Sequence, residues 1–181
     1  MLRRLLCIPV LLLGACAPRP TSTPRAAPPV SLQIQPSADT VFNIVWLRTS
    51  LRNPGPRRVW VVQQPDSVNL VCAEGGAFVL LALSPERDSM QFCGPCQAAA
   101  PATRKLVPLE PGAERVTYLR VDFNYLFPRR ALASVQPCGR YFNRTVGAYQ
   151  LRVAPVQVAP SPRGGLLAVP ASNTVTIQRK Q

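Results

Sequence analysis

The chain contains no histidine among its 181 residues. This absence excludes a Ser-His-Asp triad, a Cys-His pair, a histidine-ligated zinc ion and an imidazole proton shuttle. Acidic residues are also few, with 8 against 21 basic ones, and the aspartates Asp39, Asp66, Asp88 and Asp122 stand too far apart in the sequence to suggest a catalytic carboxylate pair. The composition therefore favours a protein without enzymatic activity, although it does not exclude every mechanism.

Lysine is almost absent too, because only Lys105 and Lys180 accompany the arginines that produce the formal net charge of +13. Such a charge attracts anionic surfaces or acidic partners. A nucleic-acid-binding protein would gather its charge into a patch or stripe. Here the arginines are spread along the chain, with short doublets such as Arg57-Arg58 and Arg129-Arg130. We therefore predict a protein or an anionic envelope component as the partner, and no nucleic acid.

The first residues read MLRRLLCIPVLLLGAC and have the pattern of an export signal. Arg3 and Arg4 form a positive region, and an apolar stretch follows at 5–13. A membrane-spanning helix needs roughly 20 apolar residues, so this stretch is too short to cross a bilayer. Residues 1–15 are therefore predicted to be a signal peptide.

The end of this signal, Leu13-Gly14-Ala15-Cys16, resembles the lipobox of bacterial lipoproteins. The resemblance implies cleavage after Ala15, a diacylglyceryl thioether on Cys16 and an acylated new N-terminus. Several acyl chains hold a protein firmly to a membrane, whereas a single chain does so only marginally. Ala17, in place of an aspartate, looks compatible with transfer to the outer membrane. We expect a lipid-anchored protein of the bacterial cell envelope, facing the periplasm or the exterior.

The lipidated Cys16 and a proline-rich tether make up residues 16–29. Proline and small polar residues dominate APRPTSTPRAAPP and favour an extended spacer. At about 3.1 Å per residue, this spacer would hold the body roughly 40 Å from the membrane. The remaining residues, 30–181, are predicted to form one domain.

This domain shows the period-two alternation of half-buried strands. Val30, Leu32 and Ile34 alternate with polar residues, and similar short segments follow at turn-punctuated intervals. Turns at 53–56 (NPGP) and 74–76 (EGG) predict two hairpins. Without a convincing amphipathic helix, the pattern predicts an all-β, antiparallel β-sandwich with long loop excursions.

Four segments resemble the skeleton of bacterial immunoglobulin-like and fibronectin-III-like domains: LRNPGPRRVWVV, LEPGAERVTYLRVDF, GAYQLRV and SNTVTI. The resemblance covers about residues 41–178 and implies an immunoglobulin-like sandwich, but it implies no activity. Excursions at 84–107, 124–140 and 155–170 depart from it. Because such sandwiches bind partners through end loops or an edge strand, we expect recognition first at 84–107 and at Arg129-Arg130.

Four cysteines remain in the body, and an even number in an exported protein predicts disulfides, with three possible pairings. They are Cys72, Cys93, Cys96 and Cys138. Cys93-Gly94-Pro95-Cys96 also resembles the redox motif of thioredoxin-like proteins, which implies Cys93 as nucleophile and Cys96 as resolving thiol. The surrounding strands fit a sandwich better than a sheet with crossover helices, so structural disulfides are the favoured interpretation. The cysteine spacing does not match a zinc ribbon, and no metal or cofactor is predicted.

Aromatic residues supply the last candidates, because Tyr118, Tyr125, Tyr141 and Phe142 could line a recognition surface. Tyr141 and Phe142 would point to opposite faces of a strand, so at least one is expected in the core. Together these patterns predict a lipid-anchored envelope lipoprotein that acts as a non-catalytic binding or accessory module. The alternative is an envelope thiol-disulfide oxidoreductase that uses Cys93 and Cys96.

Overall fold

The fold is known from a computed structural model, which describes residues 30–70, 78–94, 105–135, 138–154, 157–165 and 167–181. The predicted signal peptide, Cys16 and the tether lie outside these residues, as do Cys72 and Cys96. The described strands, in chain order, are β1 (Ser31–Pro36), β2 (Thr40–Val41), β3 (Ile44–Arg52), β4 (Val59–Val62), β5 (Ser67–Asn69), β6 (Leu80–Leu83), β7 (Met90–Phe92), β8 (Leu106–Leu109), β9 (Glu114–Asp122), β10 (Leu126–Pro128), β11 (Gly147–Val153), β12 (Gln157–Ala159), β13 (Leu167–Ala168) and β14 (Val175–Arg179).

These strands form four sheets in the described part of the chain. Sheet A has the order β1-β3-β9-β5, sheet B β2-β14-β11-β6 and sheet C β13-β12-β4-β8, while β10 and β7 form the two-stranded sheet D. The pairs are antiparallel except β5 with β9 and β14 with β2, which are parallel. Two short 3-10 helices, Phe123–Tyr125 and Arg129–Val135, flank β10. The all-β sandwich architecture predicted from the alternation is therefore confirmed.

The core is one apolar cluster to which sheets A, B and C all contribute, and its strand residues follow the predicted period of two. Val45, Leu47, Leu119 and Val121 of sheet A are fully buried, and sheet B contributes Tyr149, Leu151, Val153 and Ile177. These residues belong to one apolar cluster, to which β1 adds its inward residues at positions 32 and 34. Burying an aliphatic or aromatic side chain of this size stabilises the fold by about 1.5–3 kcal/mol before entropy losses.

Asn173 joins the two layers at the edge strand β1. Its Oδ1 accepts from the main-chain nitrogen of Ile34 at 2.8 Å, and its Nδ2 donates to the Ile34 oxygen at 3.0 Å. The amide thus reproduces both bonds of a strand partner. It holds β1 against the segment that leads into β14.

The prediction of a hairpin across the NPGP turn is wrong. β3 pairs with β1 and β9, whereas β4, on the other side of the NPGP turn, pairs with β8 and β12. The turn carries the chain from one sheet to another because the buried Asn53 side chain bonds its own turn and a distant strand. Its Nδ2 donates to the main-chain oxygens of Arg57 and Leu109, and its Oδ1 accepts from Gly55. The second predicted turn, at 74–76, lies outside the described residues, and the described strands on either side of it pair elsewhere: β5 with β9 and β6 with β11.

Candidate functional site: the outer face of sheet A

Two of the four cysteines predicted as structural, Cys93 and Cys138, lie beside sheet D. Cys93, just after β7, is bonded to Cys138, which follows the second 3-10 helix. The Cys93 side chain is buried, and its main-chain nitrogen donates to Tyr125 at 2.8 Å. Of the three pairings left open by the sequence, this bond belongs to one in which Cys93 and Cys96 are not joined. It gives the oxidoreductase alternative no support, and that alternative stays a prediction.

The arginine doublet expected to bind a partner lies beside sheet D. Arg130 forms ion pairs with Glu86 at 3.3 Å and Asp88 at 2.6 Å, which link the second 3-10 helix to the turn before β7. The Arg129 main-chain nitrogen donates to Ser89 at 2.9 Å. The Arg130 side chain is 70% exposed in these pairs, so recognition at the doublet stays a prediction.

A candidate recognition surface lies on the solvent face of sheet A. Trp46 of β3 and Tyr118 of β9 are 40% and 47% exposed, as expected for strand positions in phase with solvent. Trp46 lies opposite Arg120 and Tyr118 opposite Arg48, so the two rings occupy diagonal positions of one face. Diagonal neighbours in an antiparallel pair lie roughly 7–8 Å apart, within reach of aromatic side chains.

The Trp46 main chain is held by Ser37, at the end of the edge strand β1. The Ser37 hydroxyl accepts from the Trp46 nitrogen at 3.2 Å, and the Ser37 nitrogen donates to the Trp46 oxygen at 2.8 Å. Ile44, two residues before Trp46, is also 40% exposed and extends the apolar surface along β3. A rigid sheet therefore presents these side chains without a supporting loop.

Two ion pairs lie near the centre of this face, whereas the exposed Arg52 at the end of β3 forms no ion pair with the described residues. Arg48 bonds Glu114 at 2.8 Å, and Arg120 bonds Asp122 at 3.2 Å. The Ser50 hydroxyl donates to Glu114 at 2.7 Å. This hydrogen bond, and then the Arg48 guanidinium, lowers the pKa of the Glu114 carboxyl from its ordinary value of 4.5. The centre of the face is therefore nearly neutral on a strongly basic protein.

Polar residues surround the aromatic centre on both edge strands. Gln33 and Gln35 of β1 pair with Ser50 and Arg48, and Ser67 and Asn69 of β5 pair with Tyr118 and Arg120. Protein-binding surfaces have the same organisation: aromatic residues and arginine at the centre, and a polar rim. Trp, Tyr and Arg are also the residues that most often dominate binding energy.

The size of the face limits the kind of complex it can form. Strands about 4.8 Å apart with a rise of about 3.3 Å per residue make sheet A roughly 14 by 27 Å, or on the order of 400 Å². A stable complex buries roughly 800 Å² on each partner. This face can therefore hold a small, reversible interface, or the centre of a larger one.

Several aromatic positions differ from the sequence prediction. Tyr118 lies on the candidate face, whereas Tyr125 packs against Phe142 with ring centroids 5.6 Å apart. Tyr141 and Phe142 are 51% and 54% exposed and lie outside the strands, so the expectation that one of them is in the core is wrong. The sequence analysis did not single out Trp46 as a site residue, although its position in phase with solvent could have indicated one.

Within the described ranges, no three His, Cys, Asp or Glu side chains gather into a possible metal site. In the same residues, no helix is long and apolar enough to cross a membrane.

Comparison with known proteins gives no family for this chain. No protein-family model and no curated protein matches it. Among solved structures, the chain is similar to β-glucosidase 3B from Thermotoga neapolitana in complex with glucose, at 12% identity and a TM-score of 0.30. A second structure of that enzyme, with α-D-glucose, matches at 14% identity and a TM-score of 0.32. Each match covers 82% of this chain and 16% of the glucosidase, and at these TM-scores it carries no conclusion about fold or activity.

Proposed function

We propose that this protein is a lipid-anchored lipoprotein of the bacterial cell envelope that binds a protein partner, without catalysis, through the outer face of sheet A. The observation that carries the proposal is the diagonal pair of half-exposed rings, Trp46 and Tyr118, between two ion pairs on a face with a polar rim. Exposed tryptophan and tyrosine on a rigid sheet lose little entropy when they are covered.

The anchor in this proposal is Cys16, and its support is the lipobox-like sequence at 13–16 together with the preceding export signal. The tether leads from Cys16 to β1, the edge strand of sheet A. A reach of about 40 Å would let the face meet partners near the membrane surface. We place the protein in the outer membrane, with its body in the periplasm or outside the cell.

The anchor is tested with a Cys16→Ser variant of the full chain. The unaltered protein is expected in the membrane fraction with the mass of an acylated N-terminus, and the variant as unacylated protein outside that fraction. An unaltered protein that carries no acyl mass would contradict the anchor. That result would not contradict partner binding by the outer face of sheet A.

The binding face is tested by comparing partners retained by the unaltered protein with those retained by Trp46→Ala and Tyr118→Ala. The matched control is Tyr141→Ala, because Tyr141 is as exposed as Tyr118 but lies outside sheet A. We expect one protein to be lost from both face variants and kept by the control, with little change when salt is raised. Retention by all variants, with release in high salt, would show instead that the partner is an anion held by the arginines.

A further inference from the structure

A pocket, separate from the outer face of sheet A, lies near the C-terminal end of β14. It has a volume of about 670 Å³, within the usual range of small-ligand sites, and Arg179 lies at its base. Two exposed phenylalanines, Phe42 and Phe142, are 66% and 54% exposed and form apolar walls. Asn43, Asn124, Arg144 and Lys180 also line it.

Arg179 is only 4% exposed and has no carboxylate partner among the described residues. A guanidinium group has five N–H donors. Here each N–H group donates to a neutral oxygen, so none of these acceptors compensates the positive charge of the guanidinium. The acceptors are the main-chain oxygens of Phe42 at 3.0 Å, Phe123 at 3.4 Å and Thr145 at 3.3 Å, and the Oδ1 atoms of Asn43 at 3.0 Å and Asn124 at 2.9 Å.

This arrangement determines how the two asparagines are oriented. A guanidinium can only donate, so the amide oxygens of Asn43 and Asn124 must face Arg179. Each amide nitrogen then remains a donor, and neither has a partner in the described part of the chain. Arg179 therefore acts as a positioning residue. It binds the oxygen of each asparagine amide, so that the N–H groups remain to donate to a ligand.

The charged side chains of the pocket all have the same sign. Arg144 and Lys180 are exposed and form no ion pair with the described residues, and the lining residue with a carboxylate is Gln181, through the main-chain terminus. An anion placed there would meet amide donors and three positively charged side chains against this one carboxylate. Hydrogen bonds between such donors and an ionised oxygen are stronger than neutral ones.

We propose that this pocket binds a small organic carboxylate with an aromatic or apolar body. The carboxylate would accept from the amide nitrogens of Asn43 and Asn124 in the field of Arg144 and Lys180. The ring or alkyl body would pack between Phe42 and Phe142. The inference is independent of the partner proposed for sheet A.

Benzoate and its neutral analogue benzamide test the pocket, with the full-length protein in detergent. We expect saturable benzoate binding that shifts the side-chain amide NMR signals of Asn43 and Asn124. Benzamide and inorganic phosphate should bind at least ~10-fold more weakly. Benzamide lacks the negative charge, and phosphate lacks the apolar body. Equal binding of benzoate and benzamide, equal binding of phosphate, or no benzoate binding would each overturn the proposal.

Asn43→Asp separates recognition from folding. One carboxylate oxygen can still accept from Arg179, but the other replaces the N–H donor with a negative charge. We expect benzoate binding to fall at least ~10-fold in a folded protein. Gln63→Glu, at an exposed position just after β4 that does not line the pocket, makes the same charge change and should leave binding unchanged. Should Asn43→Asp fail to fold, the exposed Arg144→Gln replaces it. A folded variant with unaltered binding would refute the role of the residue replaced.

Discussion

Trp46 and Tyr118 lie diagonally across the central strands of sheet A, each opposite an arginine of the neighbouring strand. Both arginines are turned to acids of the same face, Glu114 and Asp122, so their charges are satisfied within the fold. The rings are left as the feature of this face that a partner can cover. The same face also adds little to the core, and function and stability can therefore be separated by mutation.

Removing either ring should leave the fold intact. We expect Trp46→Ala and Tyr118→Ala to lower the free energy of unfolding by about 1 kcal/mol or less, the range of an exposed cross-strand pair. Leu119→Ala, one position away but fully buried, should cost about 2–5 kcal/mol because it leaves a cavity. Urea unfolding of the three variants measures this, and equal losses would mean that the rings belong to the core.

The ionisation of Glu114 should depend on Ser50. Because the Ser50 hydroxyl is the largest cause of the lowered pKa of Glu114, Ser50→Ala should raise that pKa toward its ordinary value. The lowered pKa stabilises the fold above the ordinary value, and this contribution is lost as the pH falls through the folded-state pKa. NMR titration of the Glu114 carboxyl follows the change. Ser67→Ala, on the rim of the same sheet, serves as the control and should not move it.

The Cys93–Cys138 bond should be found by peptide mapping without reduction. Trypsin leaves Cys93 and Cys96 in one peptide, so fragmentation between the two must assign the sulfur that is linked to Cys138. A bond across 45 positions should add about 2–4 kcal/mol, and Cys138→Ser should lose it. A link between Cys93 and Cys96 would contradict this structure and restore the oxidoreductase alternative.

Tyr149 and Asn143 should be energetically coupled. The buried Tyr149 hydroxyl donates to Thr145 at 2.9 Å and accepts from Asn143 at 3.2 Å, and Asn143 also donates to Leu126 at 2.6 Å. Tyr149→Phe and Asn143→Ala should each cost about 1–3 kcal/mol by leaving buried groups unpaired. The double variant should cost less than the sum, by about 0.5 kcal/mol or more. Strict additivity in urea unfolding would show that the two side chains act separately, and the exposed Tyr118→Phe should be near neutral.

Strand positions could be predicted from the sequence because burial on one face leaves a period of two, as Tyr149, Leu151 and Val153 show. Which strands pair with one another could not be predicted from the sequence. A proline-glycine turn stops a strand, but the side-chain bonds of Asn53 decide that the chain changes sheets, and those bonds join positions 56 residues apart. For the same reason an even number of cysteines predicts disulfides but not that Cys93 meets Cys138.

The candidate sites depend on similar long-range placement. The alternation puts Trp46 and Tyr118 toward solvent, but only the register of β3 against β9 makes them neighbours. Arg179 follows Ile177 in phase with the buried side of β14, and a charged residue in such a phase is a signal of a special role. The oxygens that surround it come from segments far away in the sequence.

The most direct test of the central claim is photo-crosslinking in cells, with a photoreactive phenylalanine analogue, which keeps an aromatic ring, at position 118 of the full-length protein and, in a matched protein, at position 141. We expect one discrete protein adduct from position 118, its loss when Trp46→Ala is added, and no such adduct from position 141. The same adduct from both positions, or an adduct at 118 that persists in Trp46→Ala, would contradict recognition through the outer face of sheet A.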